Sequence, residues 1–273
     1  MAYKISLAGD LGSGKSTVAD ILINRLGAEY YSTGAIVRSI AARHGMSVVE
    51  LNVYMETHPE IDTEIDNGLV ELANVDKPMV IDSRMAWHFT KGTFKVYLST
   101  DVETSALRIM SANRVGEHSA TLEETIADTR ARRESEKKRY KTQYGVDIKD
   151  LTNYSLIVDT TVANPTEVAE CILSAFEEWK KDPEYTAVYI SGERINYPDD
   201  APDAELIADY TAKLSEGEEI PEVSVFEEDG ELYIACGAEA ALARSFEEAV
   251  LFRAKLVKGS SDGKKYVKMK NSL

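Results

Sequence analysis

The chain has 273 residues with 47 Asp and Glu against 31 Lys and Arg, a formal net charge of −16, and an ordinary globular share of 44% hydrophobic residues. That length suits one large or two modest domains with an adequate core. The acidic balance argues against a nucleic-acid backbone as main partner, because such binders carry a basic face.

No apolar run approaches membrane-spanning length, and the N-terminus enters a strand without a signal-peptide pattern. Only Cys171 and Cys236 occur, with no C-x-x-C, so a reducing cytoplasm and no membrane partner are expected. His44, His58, His88 and His118 show no metal-ligand spacing.

Tyr3 to Ala8 is rich in β-formers and predicts a strand. It runs into Gly9-Asp10-Leu11-Gly12-Ser13-Gly14-Lys15-Ser16-Thr17, and a helix-compatible stretch, Val18 to Leu26, leads out. This is G-x-x-x-x-G-K-[ST] between a strand and a helix. Backbone N–H groups of such a loop turn inward around a phosphate, at the positive end of the following helix. Gly9, Gly12, Ser13, Gly14, Lys15, Ser16 and Thr17 are therefore expected to hold ATP, with Lys15 on the β/γ-phosphates and the Ser16 hydroxyl on Mg²⁺. Asp10 puts an acid in this loop, which either faces solvent or lowers ATP affinity.

Glu29-Tyr30-Tyr31 predicts a short strand ending at Ser32-Thr33-Gly34, followed by a helix from Ala35 to His44. Ser47 to Glu50 is a capping box opening another helix, and Pro59 starts a third, with Ile61, Ile65, Leu69 and Leu72 at near-helical spacing. Pro78 to Asp82 and Phe94 to Leu98 predict buried strands, with a helix from Asp101 to Met110. A long charged helix runs from Thr121, a second capping box, to Tyr144. Ser155 to Asp159 is a further strand, and Asn164-Pro165 caps a helix to Lys180. Strands alternating with helices imply an α/β fold, a parallel sheet with helices on both faces, whose ligands bind at the strands' carboxyl ends.

Lys181-Asp182-Pro183 marks the expected boundary between a phosphate-loop unit, 1–181, and an accessory unit, 183–273. The second is the more acidic, with 20 Asp and Glu against 10 Lys and Arg over residues 182–273. A strand at Ala187–Ile190, a helix at Asp203–Leu214, a hairpin turning at Glu228-Asp229-Gly230, a helix near Ala238–Ala243 and a strand at Val250–Val257 predict a small α+β unit. The basic tail through Lys264, Lys265, Lys268 and Lys270 reads as a solvated end.

A phosphate loop serves GTPases, AAA-type motors and small kinases alike. The chain has no N-K-x-D for guanine, and no room before residue 180 for a longer motor module, which leaves a small kinase. A nucleotide acceptor must have its own phosphate gripped beside another phosphate, work suited to bidentate arginines. Arg38, after Ser32-Thr33-Gly34, and Arg84, just after the Asp82 strand, are placed to converge there. Arg38 read alone is equally a surface ion-pair partner, and Arg133, which matches no role cleanly, reads as part of a solvated helix face laced with i,i+4 pairs. Trp87 and His88 either line the acceptor pocket or pack in the core.

In order, Ser32-Thr33-Gly34…Arg38, His44-Gly45-Met46-Ser47, Asp82-Ser83-Arg84, Arg133-Glu134-Ser135-Glu136-Lys137-Lys138-Arg139-Tyr140 and Tyr144-Gly145-Val146-Asp147…Asp150-Leu151…Tyr154 resemble the cytidylate kinases, in their shorter, archaeal-type branch, over residues 3–177. The resemblance implies transfer of the ATP γ-phosphoryl group to CMP or dCMP under a helical lid. It implies that Thr33, Arg38 and Arg84 hold the acceptor, that Asp82 organises Mg²⁺ through water, and that Arg132, Glu136 and Arg139 serve the lid and acceptor pocket. Ser83 departs from the family's usual glycine, and the longer branch's acceptor-domain insert is absent. A modified nucleotide or other phosphorylated acceptor, or a non-catalytic nucleotide-binding regulator, are the alternatives.

Pro202–Val257 weakly resembles the ParB/sulfiredoxin-like domain. Where that fold carries a G-x-H-R or G-E-R-R phosphate signature, this chain has Gly237-Ala238-Glu239-Ala240. Packing, self-association or binding of a protein partner is the expected use, with nucleotide sensing as the alternative.

Overall fold

The computed structural model describes residues 2–112, 121–228, 231–246 and 250–268. The turn at Asp229-Gly230, His118 and Lys270 lie outside the described residues.

The chain runs β1 (Lys4–Gly9), α1 (Lys15–Leu26), β2 (Glu29–Ser32), α2 (Thr33–Arg43), α3 (Val48–Met55), α4 (Pro59–Leu72), β3 (Met79–Asp82), α5 (Ala86–Phe89) and β4 (Phe94–Ser99). It continues through α6 (Val102–Ser111), α7 (Leu122–Tyr144), β5 (Leu156–Asp159) and α8 (Pro165–Lys181). The rest is β6 (Ala187–Ile190), β7 (Ile195–Pro198), α9 (Ala204–Ser215), β8 (Val223–Glu228), β9 (Glu231–Cys236), α10 (Ala238–Phe246), β10 (Phe252–Leu256) and β11 (Tyr266–Lys268).

The helix starts follow the chemistry of their caps. Ser47 and Glu50, Thr121 and Glu124, and Asn164 and Glu167 each close a reciprocal capping box, satisfying N–H groups that have no partner inside the helix. Asp101 and Asp203 accept from the first turns of α6 and α9.

All strands described join one sheet in the order β11-β7-β9-β8-β10-β6-β5-β4-β1-β3-β2. From β2 to β6 every pairing is parallel, so Gly9, Asp82, Ser99 and Asp159 come to one edge. Ile5 and Leu7 pack with Leu22 of α1 and Ile172 and Phe176 of α8 on one face. Ala8 and Tyr97 belong to a core on the other. That second core also takes in Val188, Val225, Ile234 and Phe252, so apolar burial, the main favourable term in folding, is shared across residue 182. The strand after that residue, β6, is hydrogen-bonded to β5 and runs parallel to it.

Beyond β6 the sheet is mixed: β10 is antiparallel to β6 and parallel to β8, and β8–β9 is the expected hairpin. The tail is not simply a solvated end. Tyr266–Lys268 pairs antiparallel with β7 as the last strand, the Tyr266 ring stands edge-on to Phe226 and Tyr233, and Lys268 pairs with Glu231.

Candidate active site

The phosphate loop is shaped by crowding. At Gly12, φ is 71° and a Cβ would lie 2.6 Å from the Ser105 carbonyl, so only glycine lets the loop pass this close to α6. Gly14, at φ 79°, turns the backbone into α1. Lys15 Nζ donates to the carbonyls of Gly9 (3.0 Å) and Asp10 (2.6 Å) and to Ser13 Oγ (3.3 Å). Burial, with the positive charge of Arg84, lowers its pKa to about 7.

A cleft of about 550 Å³ opens beside the loop. Gly12, Ser13, Gly14, Lys15, Ser16, Thr33, Arg38, Asp82, Arg84, Arg132, Glu136 and Arg139 all line it, although they come from three helices, a strand end and two loops. Two of the expected residues do not. Gly9 closes β1 behind the loop, and Thr17 lines a second cleft of about 210 Å³ with Arg108, Thr160 and Pro165.

Within the main cleft, Glu136 of α7 accepts from Arg84 Nε at 2.9 Å and from Arg132 Nε at 3.2 Å. Burial would raise this carboxyl, but the Arg84 and Arg132 charges hold it down at about 2. Asp82, at the end of β3, accepts from the Tyr30 hydroxyl at 3.0 Å, and its carbonyl accepts from Thr33 Oγ1 at 3.4 Å. Arg38 is exposed. Arg139 is buried: its Nη1 donates to Asn52 and its Nε faces Asp62 at 3.3 Å, tying α7 to α3 and α4.

Several residues take places that the sequence did not suggest. Asp10 does not face solvent: it is 6% exposed and accepts from Tyr97 Oη (2.9 Å), Thr100 N (3.0 Å) and Lys149 Nζ. Arg133, expected as a surface residue, stands 3.8 Å from Asp10 with its side chain largely buried. Burial would raise the Asp10 carboxyl, yet Lys149 and Arg133 hold it well below the ordinary carboxylate range. Lys149 went unnoticed because its partner is 139 residues away. Trp87 packs on Tyr154 in the core, not in the cleft. Ser83 turns inward, its Oγ accepting from Met85 N at 3.2 Å.

The second cleft was also missed. Arg108 of α6 donates to the Thr160 carbonyl at 2.7 Å, closing its wall. Asp159, beside it, accepts from Thr161 N (3.0 Å) and from Ser191 Oγ (3.0 Å), and Arg194 stands 3.6 Å away. Residues beyond β6 therefore brace the loop after β5.

The model of the cytidylate kinase-like family matches residues 4–162. The chain belongs to that family. A cytidylate kinase of Thermoplasma volcanium is 34% identical over 193 residues, 69% of this chain and 99% of its own length. One from Archaeoglobus fulgidus is 38% identical over 175 residues, 64% of this chain and 94% of its own. An S-adenosylmethionine-dependent nucleotide dehydratase of Lacinutrix mariniflava is 33% identical over 179 residues, of whose length the chain spans 37%. Among solved structures, a shikimate kinase from Bacteroides thetaiotaomicron aligns with a TM-score of 0.47 at 15% identity, covering 66% of this chain and 98% of that one. Membership of this family makes the chain a nucleotide kinase. Among the described residues, no helix is long and apolar enough to cross a membrane.

Proposed function

We propose that the chain transfers the γ-phosphoryl group of ATP to a pyrimidine nucleoside monophosphate, CMP or dCMP, giving ADP and the diphosphate. The observation that most supports this is the gathering of Lys15, Arg38, Arg84 and Arg132 around one cleft, where Glu136 accepts from Arg84 and Arg132. Two anionic nucleotides brought into contact need cationic side chains placed at their phosphates, which Lys15 and these arginines offer.

Lys15 and the loop N–H groups take the donor phosphates, and the 210 Å³ cleft beside Arg108 continues the donor's site. Thr33, Arg38 and Arg84 take the acceptor, whose phosphate oxygen attacks the γ-phosphorus while the bond to the ADP oxygen breaks. The attacking oxygen is already anionic, so no general base is assigned. Arg132, Glu136 and Arg139 fix α7 over the reacting groups and keep water out.

Among the described residues no His, Cys, Asp or Glu cluster forms a protein cage for a metal. The oxygen donors present suit Mg²⁺ bound mainly through phosphates and water, with Ser16 and Asp82 holding it, and the ion would neutralise charge on the transferred group. The accessory role of residues 183–273, in self-association or in binding a protein partner, belongs to the same proposal. A modified pyrimidine nucleotide is the second acceptor considered, favoured by the match to a nucleotide dehydratase.

ADP release from ATP and Mg²⁺ is measured against a panel of monophosphates. Selective release with CMP or dCMP is expected. Release only with modified acceptors moves the assignment to the second class, and release with none overturns it.

A further inference from the structure

Asp159 ends β5 at 1% exposure, the most deeply buried carboxylate among the described residues. A carboxylate so placed is expensive unless it is paired and hydrogen-bonded. Its partners come from two sides. Within its own loop, Oδ1 accepts from Thr161 N at 3.0 Å and from Thr161 Oγ1 at 2.7 Å. From beyond residue 182, Ser191 Oγ donates to Oδ2 at 3.0 Å, and Arg194 Nε stands 3.6 Å from Oδ1 as the countercharge. That Nε is buried and makes no hydrogen bond, so it meets Asp159 through charge alone.

The sheet register explains the meeting. Strand β6 runs parallel to β5 with Tyr189 opposite Val158, so Ser191 emerges at the same carboxyl edge as Asp159. One turn of 3₁₀ helix, Gly192–Arg194, then carries the guanidinium to that carboxylate.

What Asp159 holds is the wall of the 210 Å³ cleft. Thr161 Oγ1, fixed by Asp159, accepts from the backbone N of Asp101, the N-cap of α6, at 3.2 Å. Burial would raise the Asp101 carboxyl, but hydrogen bonds from Thr104 and the charge of Arg194 hold it below its ordinary value. Arg108, further along α6, donates to the carbonyls of Thr160 (2.7 Å) and Thr161 (3.3 Å). Both sides of the cleft, α6 and the loop after β5, are thus tied to one carboxylate whose remaining partners lie past residue 182. The cleft shares Gly12, Ser13, Gly14 and Ser16 with the main one, so a donor whose phosphates lie on the loop reaches into it with its nucleoside.

We infer that Ser191 and Arg194 are positioning residues for the donor, acting through Asp159 to hold the cleft wall that takes its nucleoside part. This rests on the donor reading of that cleft given above, and carries the machinery of the reaction into the accessory unit. Removing either partner leaves a desolvated carboxylate short of a bond or of its countercharge. The loop then relaxes, and Thr161 and the carbonyls that Arg108 binds lose their places. The backbone N–H groups around the phosphates are set by the glycines of the phosphate loop, so the loss falls on the nucleoside.

The test is calorimetry on the full chain with two Mg²⁺-loaded probes, ATP and inorganic tripolyphosphate, beside the KM for CMP in turnover. The wild type is expected to bind ATP at least about tenfold more tightly than tripolyphosphate. Arg194→Met should weaken ATP at least about fivefold while moving tripolyphosphate affinity and the KM for CMP less than about twofold. Ser191→Ala removes a single hydroxyl and should show the same selectivity, so it carries the test if Arg194→Met does not fold. Arg194→Lys keeps the charge and should return ATP affinity to within about threefold of the wild type. Unchanged ATP affinity in the folded variants, or equal weakening of ATP and tripolyphosphate, overturns the positioning role while the donor reading stands. Equal binding of the two probes by the wild type removes the donor reading of this cleft, and the inference with it.

Discussion

Asp10, buried in the phosphate loop, and Lys149, part-buried and 139 residues away, form an ion pair. The pair joins the loop to the segment after α7, and Arg133 adds a contact from α7 itself. Removing one partner leaves a charge out of water with little compensation. Lys149→Met is therefore expected to cost about 3 kcal/mol in chemical denaturation. Asp10→Asn in the Lys149→Met background should lose clearly less than the two single losses combined, as contacting groups do in a double-mutant cycle. Because the folded carboxyl is held below its ordinary value of 3.8, the pair's contribution is complete above that pH and is lost as pH falls further. Additive losses would show that the two side chains do not act together.

Lys15 leads to a proton-linked binding experiment. Its pKa is lowered to about 7 by burial and by Arg84, and a bound triphosphate would restore the ammonium form. At pH 8, ATP binding should take up about 0.9 proton, falling to about 0.1 at pH 6. Calorimetry in buffers of different ionisation enthalpy measures that uptake, and Lys15→Met should abolish it.

Arg84 is expected to act on the acceptor side. Arg84→Ala should lower kcat/KM for the monophosphate about 10²- to 10³-fold while changing the ATP dissociation constant by less than about threefold. Arg84→Lys keeps the charge but loses the planar fork, and should recover only part of the loss. Unchanged acceptor kinetics in both variants would remove Arg84 from the acceptor site.

Truncation after Lys181 tests how far the two units depend on each other. It would uncover the β5 edge and strip Val188, Val225 and Ile234 from the core shared with Ala8, Tyr97 and Ile157. The expected product is insoluble, or melts at least about 10 °C below the full chain in a broadened transition. A cooperative melt at the full-length temperature would mean that residues 1–181 stand alone.

The phosphate loop and its flanks were plain in the sequence because local spacing dictates them, as it does the capping boxes at Ser47, Thr121 and Asn164. Arg38, Arg84 and the Arg132–Glu136–Arg139 face were found through a motif order whose members the fold then gathers around one cleft. What stayed hidden depends on distant partners or short elements. Lys149 has no local motif, and Arg133 reads as one more charge on a charged helix until Asp10 is brought beneath it. The strand β11 spans three residues, too short for alternation to register. Asp62 and Asp66, which line the main cleft, did leave a trace: two acids inside the apolar stripe of Ile61, Ile65 and Leu69, which a helical wheel shows and a scan for hydrophobic period alone passes over.

The unbroken hydrogen-bonded ladder from β2 to β11 has a mechanical consequence for turnover. A two-lobed enzyme swings about a linker, but here the backbone on either side of residue 182 is stitched rung by rung, leaving no hinge in the sheet to bend. Any opening to admit or release nucleotides must then come from α2, α3, α4 and α7 sliding over a stationary floor, and the distal strands add stiffness to that floor.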